Sequence, residues 1–129
     1  MSKLIEQSII FRASPQEVYD ALMDSDKHSA FTNSLALISP EIGGEYSAYD
    51  GYIIGKNLEL VPGGKIVQSW RAVDWPENYY SIVTFIFTPD AQGTRLDFTH
   101  ANVPEGTEAE FTQGWIDNYW QPLAAFLEK

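Results

Sequence analysis

TEAEFTQGWIDNYWQPLAAFLEK, residues 107–129, decides how the rest of this sequence is read. Thr107 and Glu110 have the spacing of a capping box, in which hydroxyl and carboxylate each satisfy a free backbone N–H at a helix start. Phe111, Trp115, Tyr119, Leu123 and Phe126 then recur every three or four residues, so they share one helical face. Trp120 and Leu127 widen that stripe, while Asp117, Gln121 and Glu128 fall off it. Pro122 removes one backbone donor and crowds the carbonyl of Asn118, which predicts a kink. A helix carrying so many rings needs a large apolar partner, and what precedes it reads mostly as strand.

Ser2 to Phe11 is a first strand. Ser14-Pro15-Gln16-Glu17 is a second capping box with proline at the first helical position, followed by Val18, Tyr19 and Leu22 on an apolar side. A further short helix runs from Asp24 to Phe31, capped by Asp24 or Ser25. Asp50-Gly51, between Glu45–Tyr49 and Tyr52–Ile54, predicts a tight hairpin turn with positive φ at both positions. Strands follow over Tyr52–Val61, Lys65–Arg71, Tyr79–Thr88 and Thr94–Ala101, separated by Pro62-Gly63-Gly64, by a loop at Asp74-Trp75-Pro76-Glu77-Asn78, and by Pro89-Asp90-Ala91-Gln92-Gly93. The order is strand, two short helices, a run of antiparallel strands, and one long helix. It predicts a single α+β domain over residues 1–129 whose curved antiparallel sheet wraps the C-terminal helix.

Strand parity then selects the side chains that meet the helix. Leu96, Phe98 and His100 must point inward because Arg95 and Asp97 belong in water. Val83, Phe85 and Phe87 are the inward set of the preceding strand, and Ile66, Gln68 and Trp70 that of the one before. If a ligand cavity lies under the helix, its lining is drawn from Trp70, Phe85, Phe98, His100, Phe111, Trp115, Tyr119 and Leu123. Gly114 costs about 1 kcal/mol relative to alanine inside a helix. A short helix or Trp75 approaching closely would explain it.

Bulk properties narrow the function. Eight Lys plus Arg against eighteen Asp plus Glu give a formal charge of -10, which repels phosphate backbones and anionic lipid. Nucleic-acid and membrane partners are therefore not expected. The start, MSKLIEQSII, has its apolar run broken by Glu6 and Gln7, so no signal peptide is expected and the cytoplasm is the default location. With no cysteine, no phosphate loop and no metal-ligand spacing, neither a cofactor nor a metal is expected.

The run Ala30-Phe31-Thr32, Gly43-Gly44, Asp50-Gly51, Gly55, Leu60-Val61-Pro62, Ile66-Val67, Trp70-Arg71, Trp75-Pro76-Glu77, Gly93-Thr94 and Gln113-Gly114-Trp115 resembles the C-terminal domain of the activator of Hsp90 ATPase. That family belongs to the START-like (SRPBCC) helix-grip superfamily, whose fold is the one read above. The resemblance implies a non-enzymatic binding domain for an Hsp90-type chaperone or a hydrophobic small molecule. The expected state is a monomer or, through a self-complementary aromatic patch, a homodimer. The resemblance also makes Arg71, Trp75 and Glu77 candidates for a partner surface. It covers one module of that co-chaperone, and the function of one module is not carried over to another. The alternative is a cavity enzyme of cyclase, dehydratase or hydrolase type. It would use His100 with Tyr119 or Tyr52 as an acid/base pair.

Overall fold

The protein, described by a computed structural model over residues 3–128, has the element order the sequence predicts. Strand β1 is Lys3–Phe11; helices α1 and α2 are Pro15–Met23 and Ser25–Thr32. The remaining strands are β2 Leu37–Ile38, β3 Glu45–Ala48, β4 Ile53–Val61, β5 Lys65–Ala72, β6 Ser81–Asp90 and β7 Gly93–Val103. They form one antiparallel sheet in the order β1-β7-β6-β5-β4-β3-β2. The chain closes with α3 Glu108–Trp115, a π-helical turn Ile116–Trp120, and α4 Gln121–Leu127. Ser2 and Lys129, the ends of two predicted elements, lie outside the described residues.

Parity holds along the sheet. Leu96, Phe98, His100, Val83, Phe85, Phe87, Ile66, Gln68 and Trp70 are all buried. Their neighbours Arg95 and Ile86 face solvent. From the helix Trp115, Tyr119, Trp120 and Leu123 are buried against them, while Phe111, Phe126 and Leu127 are half-buried. Gln7 on β1 ties the two layers: its amide nitrogen donates to the Thr112 carbonyl at 3.0 Å, and its oxygen accepts from the Trp120 indole at 2.8 Å. Each bond satisfies a polar atom that would be costly to bury alone.

Three local expectations need correcting. Thr107 does not close a capping box: its hydroxyl turns back to the Pro104 carbonyl at 2.5 Å, and Glu108 accepts from the Gly106 N–H instead. At the short helices the capping box forms as read, with Ser14 and Glu17 bonded reciprocally, and Asp24 is the second cap, accepting from the Lys27 N–H. The hairpin turn sits one residue earlier than predicted. Gly51 donates back to Ala48, and the central residues with positive φ are Tyr49 at 51° and Asp50 at 59°. Pro89 and Asp90 belong to β6, leaving Ala91-Gln92 as the connection to β7.

Pro122 is accommodated by the π turn. Gln121 donates to Ile116, five residues back, so one extra residue enters the turn ahead of the proline. The carbonyl of Asn118, which a normal residue at 122 would satisfy, instead accepts the Tyr49 hydroxyl at 2.6 Å. The widened turn also lets the consecutive rings of Tyr119 and Trp120 both reach the interior, which a strict 100° step resists. Tyr49→Phe should therefore destabilise the protein by about 0.5–1.5 kcal/mol, read from the urea midpoint. No change on removing that hydroxyl would show water to be an equal cap.

Candidate functional site

The aromatic face of the terminal helix meets the sheet in a continuous cluster. Trp115 is its hub: its ring centroid lies 4.5 Å from Phe98, 4.6 Å from Tyr119, 5.5 Å from Trp120 and 5.8 Å from Trp70. Phe85 lies 5.1 Å from Phe98 and 6.2 Å from Trp115, and Leu123 is fully buried.

His100 sits inside this cluster with both ring nitrogens engaged. The Trp115 indole N–H can only donate, so His100 Nδ1 accepts it, at 3.0 Å. The proton then resides on Nε2 and is donated to Ser81 Oγ at 2.7 Å, and Ser81 in turn donates to the Trp70 carbonyl at 2.8 Å. The chain of donors fixes one neutral tautomer. Burial lowers the pKa of His100 to about 3. Protonating Nδ1 would also set two donors against each other.

The second histidine, absent from the sequence-level candidates, makes the tyrosine pair. His28 Nδ1 lies 2.9 Å from the Leu22 carbonyl and must donate to it, so Nε2 accepts the Tyr119 hydroxyl at 3.0 Å. Burial lowers the His28 pKa, although the bond to Leu22 opposes the shift. Burial likewise raises Tyr119, with a smaller push from Tyr49. Tyr52, the other proposed partner of His100, donates to the Asp74 carboxylate at 3.1 and 3.2 Å. His100 is bonded to neither tyrosine, and the geometry lends no support to an acid/base role for it.

Space beneath the helix is scarce. An internal cavity of about 20 Å³ touches His28, Gln68, Phe85 and Tyr119. That is room for about one water. A larger cleft of about 250 Å³ opens at the end of the helix nearest the β3–β4 turn. Four of the cavity candidates front it: Trp70, Phe111, Trp115 and Tyr119. Tyr49, Tyr52, Ile53, Gly114 and Asn118 complete it, while Phe98, His100 and Leu123 stay in the packed core. A depression of about 660 Å³ on the outer face, over Gly55 and Ser69, carries Glu45 and Lys56 and none of the candidates.

Gly114 is explained by this cleft rather than by close packing. A Cβ placed there meets nothing nearer than the Asn118 amide nitrogen, at 3.8 Å. Gly114→Ala should accordingly raise stability by about 0.8–1 kcal/mol while narrowing the cleft. A lower melting temperature for this variant would mean that the position is tighter than described.

The partner-surface candidates behave differently from one another. Arg71 directs its guanidinium onto the carbonyls of Trp75, at 2.6 Å, and Pro76, at 3.3 Å, bracing the loop. Trp75 leans on Trp70, Phe111 and Tyr79 at 5.5–5.7 Å. Glu77 is exposed. Among the described residues no group of three or more metal-ligating side chains converges, and no helix is long and apolar enough to cross a membrane.

Comparison with known proteins agrees with this architecture. A family profile described as "Activator of Hsp90 ATPase homolog 1-like protein" matches residues 12–128. A Dictyostelium discoideum protein named "Activator of 90 kDa heat shock protein ATPase homolog" is 36% identical over 109 residues, covering 84% of this chain and 28% of its own length. The Homo sapiens homolog 1 is 31% identical over 113 residues, covering 88% of this chain and 33% of itself. The chain thus spans about a third of the length of these curated relatives. The crystal structure of an HSP90 activator from Plasmodium falciparum superposes with a TM-score of 0.85 at 30% identity, covering 99% of this chain and 96% of that one. A Colwellia psychrerythraea protein solved as an Aha1 dimer shares the fold at 22% identity, with a TM-score of 0.82 and coverage of 98% and 96%. On the extent of the profile match and the identity to these relatives, the chain belongs to the Activator of Hsp90 ATPase homolog 1-like family, built on the helix-grip fold.

Proposed function

We propose that this chain is a non-enzymatic binding module that docks on an Hsp90-type chaperone in the cytoplasm. The observation that carries the reading is the packed interior. With about 20 Å³ enclosed beside His28 and both histidines bonded in neutral form, the core around them offers a substrate neither room nor a free acid or base. Binding then falls to the surface. The names of the relatives point to the same partner. The loop Trp75-Pro76-Glu77, held rigid by Arg71, is the proposed contact edge, and the charge of -10 favours a basic surface opposite it.

The test is calorimetric titration with the cognate Hsp90-type chaperone, alongside its ATPase rate. Micromolar binding that weakens with salt is expected, and Glu77→Lys should reduce it several-fold without altering the melting temperature. Absence of binding at micromolar concentrations would end the proposal. A second reading rests on the 250 Å³ aromatic cleft, which suits an apolar small molecule. Thermal stabilisation by such ligands is its signature.

A further inference from the structure

We propose that the aromatic cleft selects small organic cations, ammonium groups bearing apolar substituents, over neutral or anionic molecules of the same shape. The inference rests on the reading that this cleft holds a small molecule, and it adds the charge that the molecule carries. Six of the nine lining residues are aromatic, so rings make up most of the wall available to a bound cation. The rings hold one another in place: Trp70 and Phe111 at 5.6 Å, Trp115 and Tyr119 at 4.6 Å, Tyr49 and Tyr119 at 6.0 Å.

Nothing in the lining competes for the position of a cation. It contains no Lys or Arg, and the guanidinium of Arg71, next to Trp70 in sequence, is committed to the Trp75 and Pro76 carbonyls. A carboxylate stands at the rim instead. Asp74 accepts the Tyr52 hydroxyl, which draws electron density toward that ring. Burial is the first cause that raises the pKa of Tyr52, followed by the bond and charge of Asp74 and the charge of Glu110. The formal charge of -10 adds a field of the same sign. At about 250 Å³ the space is below the usual range for drug-sized ligands, which fits a compact ammonium head with a short body.

Three probes of matched shape separate the charge from the shape. They are choline, the alcohol in which a tert-butyl group replaces the trimethylammonium, and tert-butylacetate. Titration of each into the full chain is followed by the amide resonances of Tyr49, Gly114 and Asn118. Choline should bind about fivefold or more tightly than the alcohol, with no saturable shift from the carboxylate. Asp74→Asn should weaken choline about threefold and leave the alcohol unchanged. Gly114→Leu should abolish both while the protein stays folded. Equal affinity for choline and the alcohol overturns the inference and leaves the small-molecule reading standing. No saturable shift from any probe at tens of millimolar overturns both.

Discussion

Trp115→Ala is expected to cost about 3–5 kcal/mol, a large part of the roughly 5–15 kcal/mol that holds a domain of this size together. The indole is 4% exposed and packs on rings from β5, β7 and its own helix, so truncation leaves a hole that neighbours on a rigid sheet fill poorly. It also removes the donor that fixes the tautomer of His100. Trp115→Phe separates the two contributions. It keeps most of the ring but leaves His100 Nδ1 without its donor, at about 1–3 kcal/mol. Urea unfolding of the three proteins reads the difference directly. A Phe variant as stable as the parent would show that the indole bond contributes nothing.

The second large effect is loss of stability in acid. His100 falls from its usual 6.5 to about 3 in the folded protein, because burial penalises the charged ring. Below pH 6.5 the unfolded chain takes up a proton that the folded chain refuses. The contribution of His100 is therefore complete above pH 6.5 and falls as pH drops, by about 1.4 kcal/mol per unit, until the folded protein itself protonates near 3. By pH 3.5 this histidine alone accounts for about 4 kcal/mol. His28, also lowered by burial, adds to the slope in the same direction. His100→Asn offers an amide oxygen to Trp115 and an NH₂ to Ser81 but has no proton to gain. Its stability should be less dependent on pH than that of the parent between 6.5 and 3.5. Identical slopes would place His100 in contact with water.

The division between what could be read and what could not follows from the range of the interactions. Parity placed Phe98 and His100 inward because Arg95 and Asp97 alternate with them, and the Ser14 and Asp24 caps are complete within three residues. The π turn was out of reach of a periodicity argument that assumes one helical pitch. Its local trace is the adjacent pair Tyr119-Trp120 followed by Pro122. His28 escapes a sequence reading because α2 is short and weakly amphipathic, and its partner Tyr119 lies 91 residues away. Gln7, the bridge between β1 and the helix, depends on Thr112 and Trp120 more than 100 residues on. Gly114 is open where the sequence suggests crowding, since a helix glycine looks the same in sequence whether it faces a wall or a cleft.

The fold and the proposed function depend on one claim, that the sheet closes on the ring-bearing face of the terminal helix. Hydrogen exchange at the indole nitrogens of Trp115 and Trp120 tests it most directly. Each donates to a buried or part-buried acceptor on the sheet, His100 Nδ1 at 3.0 Å and Gln7 Oε1 at 2.8 Å. Both indole protons should exchange only through global opening, at rates that follow the unfolding free energy as urea is added. Exchange within seconds in the absence of denaturant would show the helix undocked and contradict the account.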